Sequence, residues 1–153
     1  MGCRRSCRRD CGISTSNKRR SMDKAAFKHQ ISRAAPIGTE FSNPGGGTST
    51  IVSQSDRNIY YKRGRSTIGM SFGDMFDVWN KFQSREVSSS DLRIYRPTVF
   101  VSYKNGHSCN CTFLFTVLYA AGLASNLSGE GVRGNPFRAR MLTAQRDPSI
   151  SNV

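Results

Sequence analysis

Five cysteines and two histidines are the residues of this 153-residue chain best suited to nucleophilic or metal chemistry. Cys3, Cys7 and Cys11 lie near the start, and Cys109 and Cys111 stand beside His107; the other histidine is His29. The C-x3-C-x3-C spacing aligns three sulfurs on one helical face, and His107 or Cys109 would complete a tetrahedral zinc site. Neither group contains the closely spaced C-x2-C pair of structural zinc, so reduced thiols without metal or other cofactor are expected. His107 and Cys109, two positions apart, are poorly placed as a base and nucleophile, and no orienting acid is near them in the sequence.

A metal-dependent nuclease needs two or three carboxylates around an ion, and Glu40, Asp56, Asp74, Asp77, Glu86 and Asp91 are the supply. Helix caps claim Asp74 and Asp91, which leaves Asp77 and Glu86 without a structural task. A small nuclease or restriction-system accessory is therefore one alternative, although catalysis is the lesser expectation. Gly129-Glu130-Gly131-Val132-Arg133-Gly134 matches G-x-G-x-x-G. A dinucleotide loop follows a strand and opens a helix, whereas this one follows a helix and runs into Asn135-Pro136, so it reads as a surface loop.

Positive charge is the stronger signal. Lys and Arg total 23 against 10 Asp and Glu, a net +13 that favours anionic partners. Arginine outnumbers lysine 17 to 6, and the guanidinium suits bidentate phosphate contacts and stacking on bases. Tyr61 beside Lys62, Tyr95 between Arg93 and Arg96, and Tyr103 beside Lys104 add aromatic faces to this cationic surface. The candidate nucleic-acid contacts are Lys62, Arg63 and Arg65 at a hairpin tip, Arg93 and Arg96 at a short helix, and Lys18, Arg19 and Arg20 in the leading segment. The expected function is nucleic-acid binding, duplex DNA ahead of RNA. The further alternative is a basic assembly protein of a virion or ribonucleoprotein, self-associating as a homo-oligomer.

Met1-Gly2-Cys3-Arg4-Arg5-Ser6 matches an acylation pattern, and lipid on Gly2 and Cys3 together would make a stable anchor. Without it no membrane attachment is expected, since no apolar run approaches a bilayer-spanning length and the first residues are charged. An intracellular location, in the cytoplasm or the nucleus or nucleoid, follows. The sequons at Asn110 and Asn126 are discounted for the same reason.

The elements that must position these residues divide the chain. Residues 1–21 carry seven basic residues against Asp10 and one aliphatic residue after Met1, which describes a flexible, disordered arm. Met22 offers a second possible start, after which 16 basic and 9 acidic residues remain. Residues 22–47 read as a short helix, stopping at Pro36, and a Gly-rich linker at 42–48. Residues 48–142 would be the compact domain, and 143–153 a loose tail.

Within that domain strands are expected at 50–52, 58–62 and 66–70, the last two forming a hairpin around Arg63-Gly64-Arg65. Ser71 with Asp74, and Ser88 with Asp91, are capping boxes that open two helices, the first with apolar residues at Phe72, Met75, Phe76, Trp79 and Phe82. The pair is compatible with a helix-turn-helix. Thr98 to Tyr103 reads as a strand, Cys111 to Ala121 as a buried apolar helix stopping at Gly122, and 137–142 as a last strand. Together these make a small α+β domain, winged-helix-like in layout.

Overall fold

The computed structural model describes residues 22–143, which form a mixed α+β fold. In chain order the elements are α1 (Lys24–Ala34), β1 (Glu40–Ser42), β2 (Thr48–Gln54), β3 (Asn58–Arg63), β4 (Ser66–Ser71), α2 (Phe72–Lys81), β5 (Glu86–Ser88), α3 (Ser89–Tyr95), α4 (Pro97–Phe100), a 3-10 turn (Ser102–Lys104), α5 (Cys109–Ala120), β6 (Ala124–Ser128) and β7 (Arg138–Met141). Strands β1 to β4 form an antiparallel sheet in sequence order, and a second antiparallel sheet runs β5-β7-β6.

Helix α1 starts where Asp23 Oδ1 accepts the Ala26 N–H at 2.8 Å, and its i, i+4 pair Phe27 and Ile31 is fully buried. Each such side chain contributes roughly 1.5–3 kcal/mol over leaving it in water. Phe27 packs on Trp79 and on Phe76 of α2, with ring centroids 5.5 Å apart in both cases. The helix is therefore part of the same core as the rest.

The Gly-rich stretch at 42–48, expected as a linker, lies within the sheet between β1 and β2. Asn43 N–H donates to the Gly47 carbonyl at 3.0 Å, Ser49 Oγ donates to Asn43 Oδ1 at 2.9 Å, and β1 pairs with β2 across this turn. The glycines that mark a break in the sequence make a hairpin turn here. The compact unit thus begins at α1 and not at residue 48.

Two further expectations change. Thr98 to Phe100 is helical, and an extended Val101 leads from it into the 3-10 turn, because Pro97 occupies the first position of α4, where its fixed φ suits a helix, and Phe100 N–H returns to the Arg96 carbonyl at 3.1 Å. Phe100 is completely buried, so packing overrides the strand preference of its β-branched neighbours. The link between α2 and α3 contains β5, which pairs with β7, and α3 packs on α4 and α5 while α2 packs on α1 and β4. The two helices meet through Tyr95, whose ring centroid lies 5.5 Å from that of Phe82 and 5.9 Å from Lys81 Nζ, and through Arg96, which pairs with Asp74 and Asp77. This is not a helix-turn-helix.

Both caps form at the hydroxyl. Ser88 and Asp91 make a complete capping box, whereas Ser71 Oγ accepts from Asp74 N–H without the reciprocal bond. The Asp74 carboxylate is drawn instead to Arg96. Helix α5 is apolar on nearly every face and is the buried centre, with Phe113, Leu114, Phe115, Val117 and Leu118 at 1% exposure or less. It ends at Gly122, whose φ of 77° takes the left-handed conformation that follows a helix.

Candidate functional site

Three elements of different sequence origin converge at the N-terminal end of α5. The first is the β3–β4 hairpin. Its last pair is Arg63 with Ser66, and Gly64 turns it with φ 60° at the first loop position, as a II′ turn requires. Side chains alternate along β3, so Arg63 shares the inward face with Ile59 and Tyr61 while Lys62 faces the other way and is exposed. Tyr61 anchors this face to α5: its ring stacks on Phe113 at 3.8 Å and its hydroxyl donates to Asn110 Oδ1 at 2.8 Å. Asn110 Nδ2 in turn donates to the Val99 carbonyl at 3.0 Å. The anchoring brings Arg63 Nη1 to Thr112 Oγ1 at 3.2 Å, and the Arg63 side chain is half-buried rather than projecting from the tip.

The second element is α3. Its capping box fixes the first turn, Leu92 is buried beneath it, and Ser89 and Arg93, four apart, present one face to the start of α5. The third is the loop from Gly129 to Phe137, which follows strand β6 and not the expected helix, and leads into β7 without opening a helix. It folds on itself through Gly131 N–H to the Asn135 carbonyl at 2.9 Å and a bridge between Val132 and Asn135. Phe137 fastens it, its ring lying against Gly45 and Gly131.

Between the three lies a cleft of about 520 Å³. Arg63, Arg93 and Arg133 stand around it, with Ser89 and Ser90 as hydroxyl donors, Thr112 donating its own hydroxyl to the Cys109 carbonyl at 3.1 Å, and Val132, Pro136 and Phe137 as an apolar wall. Ser89 lines it although only 3% of its surface is exposed. No described carboxylate borders the cleft, and none of the three arginines forms an ion pair among the described residues. Three guanidinium groups facing one concavity without a counter-charge repel one another, and an anion held between them relieves that repulsion. The α5 N-terminus at Ser108 and Cys109 opens on the same space and adds a field of the same sign.

Other cations have different destinations. Arg96 Nη2 lies 2.7 Å from Asp77 Oδ2 and Nη1 3.4 Å from Asp74 Oδ1, so two carboxylates offset its charge. Asp77 therefore has a structural task after all, and so has Glu86, 3.8 Å from Arg138 Nε. Lys62 and Arg65 are exposed on the hairpin but do not line the cleft, which splits the expected three-cation cluster at the tip. Lys18, Arg19 and Arg20, like Gly2 and the cysteines of the leading segment, lie outside the described residues. Arg133 and the hydroxyl set were missed by the sequence reading. The only local sign of Arg133 was its place in a Gly-rich loop.

Cys111 forms part of the cleft floor. Burial pushes its thiol up to about 11, against the opposing pull of the neighbouring Arg93 guanidinium. It is thus a neutral thiol at pH 7 and not a nucleophile. Below its ordinary value near 9 the folded and unfolded chains both keep the proton. Above 9 the unfolded chain gives it up first, so stability falls as pH rises toward 11, by on the order of 2–3 kcal/mol if the whole shift is realised. Urea midpoints of wild type and Cys111→Ser are expected to diverge less at pH 10.5 than at pH 8, roughly 1 kcal/mol or more of the difference disappearing. A pH-independent difference would contradict this account. His107 opens on a separate depression of about 300 Å³, so it and Cys109 face different spaces.

Among the described residues no three His, Cys, Asp or Glu side chains gather as metal ligands, and no helix is long and apolar enough to cross a membrane. Comparison with protein-family models, with curated proteins and with solved structures gave no match.

Proposed function

We propose that this protein binds nucleic acid and that Arg63, Arg93 and Arg133 grip backbone phosphate in the cleft at the head of α5. The observation that carries the reading is their convergence from a hairpin, a helix and a loop onto a space bordered by no described carboxylate. Hydroxyls of Ser89 and Ser90 supply the neutral donors that commonly complete phosphate contacts. Lys62 and Arg65 on the exposed hairpin, and the basic residues 1–21, extend the attraction along a polyanion in a sequence-independent way.

A salt titration of the full chain against fluorescently labelled oligonucleotides tests this. Log affinity is expected to fall linearly with log salt, each phosphate neutralised adding about 0.7–0.9 to the slope. The cleft arginines account for about 2–3 of that slope if each meets a phosphate. Absence of binding at low ionic strength, to single strands and duplexes alike, would remove the reading.

A further inference from the structure

Resting on that reading, we infer that the cleft takes an unpaired nucleotide, so that the preferred polymer is single-stranded and not a double helix. A duplex offers a protein its phosphates and the edges of its bases, while the base faces stay stacked inside. Phosphates alone would need only the cationic side of this cleft. Part of its lining is apolar as well: Val132, 55% exposed, and Pro136 and Phe137, on the same loop as Arg133, border the same space as the arginines. Such a wall has no favourable contact with a phosphate or with water, but it suits the face of a base or a sugar ring.

The dimensions agree. A concavity of about 520 Å³ falls in the range of pockets, roughly 300–1,000 Å³, that enclose small organic groups. It has room for a nucleotide unit splayed from a strand and none for a paired helix. Phe137 is packed in advance against Gly45 and Gly131, so little side-chain freedom is lost when a base arrives. Hydrogen-bonding groups of the wall are few, and the preference among bases is accordingly expected to be weak.

The test compares anisotropy titrations of the full chain with a labelled oligothymidylate of about a dozen nucleotides and with a duplex of the same length, at equal salt. The strand is expected to bind at least about tenfold more tightly. Val132→Asn, an uncharged change on an exposed loop, is expected to weaken strand binding about fivefold and duplex binding by less than about twofold. Equal affinities for strand and duplex, or an equal loss for both in this variant, would overturn the inference while leaving nucleic-acid binding intact. Failure of both probes to bind would instead remove the parent reading, and this one with it.

Discussion

Reversing Arg63, Arg93 and Arg133 together to glutamate is expected to lower affinity for a nucleic-acid strand by at least about a hundredfold, near 3 kcal/mol. Reversing Lys62 and Arg65 together is expected to cost less than about tenfold. Both sets are close in the fold and both are basic, so long-range attraction falls in each. The difference lies in geometry: the first set borders one concavity, where a single phosphate can meet more than one guanidinium, and the second stands on the open hairpin. Long-range Coulomb attraction is screened beyond about 8–10 Å by physiological salt, while direct contacts inside that distance persist. Salt titration separates the two effects, because loss of direct phosphate contacts flattens the slope by close to one for each contact. Arg63 also donates to Thr112, so a triple glutamine variant with an unchanged urea midpoint guards against reading a folding defect as a binding defect. Equal losses from the two sets would mean that the cleft is not the interface.

Gly129→Ala is expected to be the most damaging single methyl addition near the cleft. Gly129 has φ 91°, a left-handed conformation costly to any residue with a Cβ, and an added Cβ would stand 2.0 Å from the Pro136 carbonyl oxygen and 2.8 Å from its carbon. Backbone cannot yield as a side-chain tip can. The loop must swing off the start of β7, at a cost of about 3 kcal/mol or more, visible as a Tm lower by roughly 10 °C. Strand binding is expected to fall with it, since Arg133, Val132 and Phe137 all depend on this loop. Gly134→Ala supplies the contrast: φ is 86° but nothing lies within 4 Å of the new Cβ, so only the conformational cost of about 1 kcal/mol remains. Similar losses at the two positions would show that the close approach to Pro136 has no energetic consequence.

The parts of this molecule that depend on neighbours three or four residues away were legible. Ser71 and Ser88 cap helices by bonding to amides three positions on, and the β3–β4 turn needs only Gly64 between two β-forming runs. The apolar length of α5 identifies a buried helix without knowledge of its partners. Strand β5 escaped notice because three residues carry no periodicity, and it exists through pairing with β7, about fifty positions later. At Asn43 to Gly47 the partners are close in sequence, but the glycines are equally suited to a linker and to the hairpin turn that pairing of β1 with β2 makes of them.

Residue types and their order determined that the chain is basic, that arginine supplies most of the charge, and that a central apolar helix must be covered on all sides. Only the tertiary structure decided which arginines are available. Arg93 and Arg96 differ by three positions and look alike in the sequence, yet one borders an acid-free cleft and the other sits between Asp74 and Asp77. Coulomb energy falls with distance in space, so a side chain's counter-charges are set by whichever elements the core packs beside it.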